Sequence, residues 1–247
     1  MIYYLLLVAA GFLAGGLNAI AGGGSFLTFP ALVYAGVPIV SANATSAVAV
    51  FPGYLGAVAG FRPEIASVER VMLVKLIVVS LAGGLAGSLL LLVTSNHTFK
   101  ILVPWLLLFS TLLFATGDYM VAWSKSRNLQ LDKFLMPGVF VVSVYGGYFN
   151  GGLGIMLMAL FAVVGMRGMN LMNGLKNGVS VILSAISVAT FAWAGIVQWR
   201  AAVIMMVAAT VGGYLGAFAA KALSRRAIKA LIVIVGLVMS AVFFYEA

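Results

Sequence analysis

Cysteine is absent from the 247 residues, and histidine occurs once, as His97. The first absence excludes disulfides and thiolate metal sites. The second leaves a His-ligated metal without a second imidazole, so no cofactor is implied. Charge is also scarce, at 8% of residues, where soluble domains carry about 25%. The acids are Glu64, Glu69, Asp118, Asp132 and Glu246, read as lying in loops or at the terminus. None falls inside a long apolar run, whereas proton-coupled carriers keep an ionisable group within the membrane. With no thiol, a lone histidine in a polar break and peripheral acids, no catalytic dyad is available, and the chain is not read as an enzyme. A basic n-region is missing before Tyr3, and the apolar stretch continues past any cleavage site, so the start is expected to be a span and not a cleaved signal.

What is present is hydrophobic sequence, 64% of the chain. Met1 to Phe61 contains no Asp, Glu, Lys or Arg, and further charge-free runs cover 76–99, 101–117, 134–166, 177–199, 201–220 and 230–245. A spanning helix needs roughly 20 apolar residues. The runs predict at least seven spans of an all-α polytopic membrane protein whose immediate surroundings are the lipid bilayer. The formal charge of +9 is read as orientation charge in cytoplasmic loops, and no nucleic-acid partner is expected.

The chain repeats itself. Ala82-Gly83-Gly84-Leu85-Ala86-Gly87 returns as Val211-Gly212-Gly213-Tyr214-Leu215-Gly216, and Ser95 and Lys100 return as Ser224 and Lys229, all at an offset of 129. Gly23-Gly24-Ser25-Phe26 aligns with Gly151-Gly152-Leu153-Gly154 at an offset of 128. Residues 1–116 are read as one transmembrane unit, 117–133 as a cytoplasmic linker and 134–247 as the second unit. Repeats in a membrane chain are the usual signature of a transporter with its site at the repeat interface. If one hairpin per unit is re-entrant, the units are inverted. Segments 61–75, 117–133 and 221–229 then share one side and hold ten basic residues, against Lys100 and Arg200 on the other. Parallel units would give seven against five. The positive-inside rule favours inversion with both termini extracytoplasmic. His97→Cys and Ser224→Cys are therefore expected to label with an impermeant maleimide from opposite sides; labelling of both from one side contradicts inversion.

Gly22-Gly23-Gly24, followed by the short segment to Tyr34, predicts a helix that breaks at depth and restarts as a half-helix. The second unit does the same at Asn150-Gly151-Gly152-Leu153-Gly154. A helix N-terminus exposes unpaired N–H groups and about +0.5 charge, and glycine lets an anion approach closely. The candidate substrate-binding residues are Asn18, Gly23, Gly24, Ser25, Asn43, Thr45 and Ser46 in the first unit. In the second they are Asn150, Gly151, Gly152, Lys176 and Asn177. Lys176 is a cation near membrane depth, to be weighed against a lysine that snorkels from a helix end; snorkelling is preferred for Arg167. Ser and Thr in such helices also merely bond their own backbone. For Gly83-Gly84-Gly87 and Gly212-Gly213-Gly216, close helix packing is the preferred reading.

Gly16-Leu17-Asn18-Ala19-Ile20-Ala21-Gly22-Gly23-Gly24-Ser25 with Pro30-Ala31-Leu32, then Asn43-Ala44-Thr45-Ser46, Phe51-Pro52-Gly53 and Phe61-Arg62, resembles the opening of the TauE/SafE family, also called the sulfite exporter or TSUP family. Asn173-Gly174-Leu175-Lys176-Asn177 and Gly212-Gly213-Tyr214-Leu215-Gly216-Ala217 continue the likeness, which covers nearly the whole chain. The resemblance implies a multi-pass permease with two related halves, in a bacterial inner membrane. It also implies transport of sulfite, organosulfonates such as sulfoacetate, or related sulfur-containing anions and carboxylates. The second half departs from the pattern where Leu153 interrupts the glycines and Met158 stands in place of Pro30. The reading is a secondary transporter, an exporter of a small anion. An anion channel and a non-transport structural membrane protein remain alternatives, and a homo-oligomer is left open.

Overall fold

The computed structural model describes residues 2–20, 23–127, 132–219 and 225–246. Among them the chain is helical, without a strand. The first part runs α1 (Ile2–Ile20), α2 (Ser25–Tyr34), α3 (Ile39–Gly60), α4 (Arg62–Ala66), α5 (Arg70–Val93) and α6 (Asn96–Arg127). After a 3₁₀ turn at Asp132–Phe134 come α7 (Leu135–Tyr148), α8 (Leu153–Val163), α9 (Met169–Trp193), α10 (Trp199–Ala219) and α11 (Arg225–Glu246). Helix α6 continues into the segment read as linker, because nothing between Asp118 and Arg127 breaks it. Glu64 and Asp118, read as loop acids, sit in α4 and α6. Gly22 and Ser224 lie outside the described residues.

Three described helices combine the length and hydropathy to cross a membrane: α5, the Asn96–Gly117 part of α6, and α9. Shorter apolar stretches lie in α1, α2, α7, α8, α10 and α11. Glycine breaks divide 1–61 and 134–166 into shorter helices, and Ser41, Asn43, Thr45 and Ser46 lower the hydropathy of α3. Helix α3 is a core element: residues 42–50 are buried on every side. The outside of the bundle is apolar, with Leu5, Val74, Val78, Leu89, Leu90, Trp105, Phe109 and Val207 exposed. A surface of that kind needs lipid around it. The protein is a multi-pass membrane protein.

Helix directions follow from close approaches. Gly138 faces Leu160 and Gly146 faces Leu153, so α8 turns back along α7. That hairpin cannot cross a core about 30 Å thick, because the 14 residues of α7 rise only about 21 Å. Gly24 likewise lies against Ala14 and Asn18, so the chain reverses after α1. Helices α3 and α9 run antiparallel. Gly174 sits against Phe61 and Ile65, while the Gln198 N–H, past the end of α9, donates to Thr45 Oγ1 near the start of α3 at 3.0 Å. Helices α6 and α11 are antiparallel as well, since Gly236 faces Thr111 and Ser240 Oγ donates to the Pro104 carbonyl at 2.8 Å. Helices α1 and α10 run parallel, with Gly11 against Met205 and Gly15 against Ala209. So do α5 and α7, with Gly83 against Phe140 and Gly87 against Val144.

The helix contacts come in matching sets. α1 packs on α10 as α5 packs on α7, α10 on α3 as α5 on α9, and α6 on α8 as α11 on α2. One end of the bundle gathers the starts of α3 and α6, where the Val40 N–H donates to Asn96 Oδ1 at 3.2 Å, and it carries Lys100 and Arg200. The opposite end carries Arg62 and Arg70, with the start of α9 beside them.

Candidate functional site

Both helix breaks lie against α3. At the first, Asn18 Oδ1 accepts the Gly24 N–H at 3.1 Å, so an amide from α1 ties down the residue before α2. Gly24 in turn offers its carbonyl to Thr28 Oγ1 at 3.4 Å, and Thr28 pairs with Ser46 of α3 at 2.6 Å. Asn18, Gly24, Thr28 and Ser46 thus form one chain of polar contacts from α1 through α2 to α3. Ser25 is buried beside it, and Gly23 supplies the carbonyl for the Phe26 N–H at 3.1 Å. Asn18→Ala removes a hydrogen bond of the kind that contributes about 1 kcal/mol. It is expected to lower the melting temperature in detergent measurably; an unchanged value contradicts that role.

The second break is built differently. Gly152 opens α8 at φ +77 and stands so close to Ser110 of α6 that a Cβ would lie 2.7 Å from the serine Cβ. Both the backbone conformation and the space call for glycine. Tyr145 on α7 donates its hydroxyl to the Gly151 carbonyl at 2.8 Å, which pins the turn. Asn150 is buried; its Oδ1 accepts from the Tyr54 hydroxyl of α3 at 3.4 Å, while its Nδ2 has no partner.

Aromatic packing and α3 bring the two breaks together. Phe29 of α2 meets Phe149, the residue before Asn150, edge to face at 5.7 Å between centroids. Asn43 Nδ2 of α3 donates to the Tyr148 carbonyl at 2.8 Å. The amide of Asn150 thus lies buried beside α3 and the start of α8 with its nitrogen unpartnered. Unpaired N–H groups at a helix start and a free amide N–H₂ are all donors, and such a set suits an anion.

Other candidates are placed apart. Thr45 is spent on the Gln198 N–H. Asn177 Nδ2 is spent on the Asn173 carbonyl one turn back, at 2.9 Å. Lys176 lies half-buried near the start of α9, and no contact among the described residues joins it to either break. Sequence reasoning missed Thr28, Tyr54 and Tyr145. A hydroxyl in an otherwise apolar helix was the available signal, but only the fold tells which face it occupies.

A family model described as Sulfite exporter TauE/SafE matches residues 7–243, from α1 through α11. The chain belongs to the sulfite exporter TauE/SafE family. Members are membrane transporters and not enzymes, and this TauE/SafE chain is a membrane transporter. It is similar to the "Probable membrane transporter protein" of Haemophilus influenzae, 29% identical over 246 residues, covering 98% of this chain and 94% of that protein. It is also similar to "Probable membrane transporter protein YfcA" of Escherichia coli K12, 28% identical, covering 95% and 87%. "Probable membrane transporter protein ORF9" of a Sinorhizobium species is 25% identical, covering 95% and 89%. No solved structure matches the chain.

Proposed function

We propose that this transporter is a secondary exporter of a small sulfur-containing anion, sulfite or an organosulfonate such as sulfoacetate, in a bacterial inner membrane. The observation that carries the reading is the buried, unpartnered amide nitrogen of Asn150 at the start of α8. A donor left unpaired in a protein interior costs about 1–3 kcal/mol, a cost that an oxyanion bound there removes.

Two inverted units, α1–α6 and α7–α11, frame the site in this reading. The antiparallel pairings of α3 with α9 and of α6 with α11, and the matching contact sets, support it. The α1–α2 and α7–α8 hairpins then enter from opposite faces and meet at mid-depth, where transporter sites lie. A negative interior drives an anion outward, at about 2.3 kcal/mol per charge per 100 mV.

The test is a thermal-shift screen of the purified protein against sulfite, sulfoacetate, taurine, thiosulfate and small carboxylates. Saturable stabilisation by a sulfur oxyanion, lost in Asn150→Leu, is the expected result. Equal shifts in the variant, or none with any anion, overturn the proposal.

A further inference from the structure

Several buried hydroxyls in this bundle satisfy themselves on their own helix. Ser80 donates to the Leu76 carbonyl at 2.6 Å, Thr111 to Leu107 at 2.6 Å, Ser187 to Leu183 at 2.8 Å and Thr190 to Ile186 at 2.8 Å. This back-bonding is the ordinary fate of Ser and Thr in an apolar helix. Ser143, Ser180 and Ser184 depart from it; Ser143 is pressed against Gly83 of α5, while Ser180 and Ser184 lie on the same helix as Ser187. Both are buried, 0% and 1% exposed, and neither Oγ has a partner. A buried hydroxyl without a partner calls for an explanation, and here two of them stand one turn apart on α9.

They continue a line that starts at Lys176. Positions 176, 180 and 184 are four residues apart, so each side chain stands about 6 Å from the next along one face of α9. Among the described residues Lys176 has no hydrogen bond or ion pair. The line runs from a half-buried ammonium to two fully buried hydroxyls. It ends at Ser187, whose hydroxyl is occupied by the Leu183 carbonyl and, at 3.4 Å, by the Gly84 carbonyl of α5.

We propose that Lys176, Ser180 and Ser184 form a ladder of donors along which an oxyanion is handed from the basic end of the bundle towards its middle. The ladder rests on the anion-transport reading above and adds two substrate-contacting residues to it. Ammonium and hydroxyl groups at one-turn steps each replace part of the water an anion sheds, and no step leaves it without a donor. In the conformation seen here the hydroxyls are closed off, so the turnover cycle must expose them.

Because the chain has no cysteine, Ser180→Cys and Ser184→Cys each give a single thiol in a silent background. Reconstituted protein is treated with an anionic, membrane-impermeant thiosulfonate and labelling is read by intact mass. Ser80→Cys, buried and back-bonded in the parent, is the control. The ladder predicts labelling at 180 and 184 about tenfold or more faster than at 80, where a reagent enters only through local unfolding. It also predicts that sulfoacetate slows labelling at both; sulfite is avoided because it attacks thiosulfonates itself. Labelling no faster than at 80 overturns the ladder, as does fast labelling that sulfoacetate leaves unchanged. Anion flux by the unmodified chain separates the two readings: flux with inert cysteines removes the ladder alone, whereas reactive cysteines without any anion flux remove the transport reading on which it rests.

Discussion

Gly212→Ala is expected to prevent α1 and α10 from closing on one another, and so to abolish recovery of monodisperse protein. A Cβ on Gly212 falls onto the Phe12 carbonyl of α1, and one on Gly15 falls onto the Ala209 carbonyl of α10. The two helices are locked through reciprocal backbone contact, in the most extensive helix pairing of the bundle. Overpacking a core costs about 1–3 kcal/mol when side chains can adjust. Here the obstacle is backbone, and relief requires the helices to separate, so the cost lies at or above the top of that range. Gly213→Ala is the matched control: its Cβ meets nothing closer than the Gly15 carbonyl at 3.5 Å. It is expected to purify and melt like the parent. Gly212→Ala with an unchanged melting temperature in detergent contradicts the packing described.

Lys176→Ala is expected to lower anion flux sharply while leaving the protein folded and at least as stable. A cation within a membrane helix and without an acidic partner is costly to keep, so its removal relieves the fold. Its loss as a ligand works the other way. A hydrogen bond to a charged group is worth about 1.5–3 kcal/mol, which corresponds to a fall in flux of roughly ten- to a hundredfold. Lys176→Arg, which keeps the charge, should retain part of the flux. A purely structural lysine predicts the opposite pair of results, lower melting temperature with flux preserved.

Much of the architecture was legible from one sequence because membrane folding writes in composition. Charge-free runs announce helices in lipid, and the glycine breaks at 22–24 and 151–152 announce the short helices α2 and α8. The close packing of Gly83, Gly87 and Gly212 was also legible, since small residues at helical spacing permit backbone approach. The burial of α3 was not. Helix α3 looks like any other apolar run, yet its neighbours bury residues 42–50 from every direction, and only tertiary contacts reveal that.

The candidate site was legible in part. Asn18, Ser46 and Asn150 could be picked out as polar residues in apolar surroundings, but their roles differ in ways sequence does not encode. Asn18 holds the Gly24 N–H and Ser46 pairs with Thr28, while Asn150 keeps a donor free. Thr45, with similar chemistry, is consumed by the Gln198 backbone 153 positions away. Such long-range partners decide which hydroxyl is structure and which is available to a ligand. The same reasoning separates Ser187 from Ser180 and Ser184.

The most direct measurement is sulfoacetate flux through the unmodified chain in proteoliposomes carrying an imposed membrane potential and no pH gradient. The account predicts saturable flux that follows the sign of the potential and is absent from protein-free vesicles. Flux that follows an imposed pH gradient at clamped zero voltage, or no flux of sulfoacetate or sulfite at any potential, contradicts it.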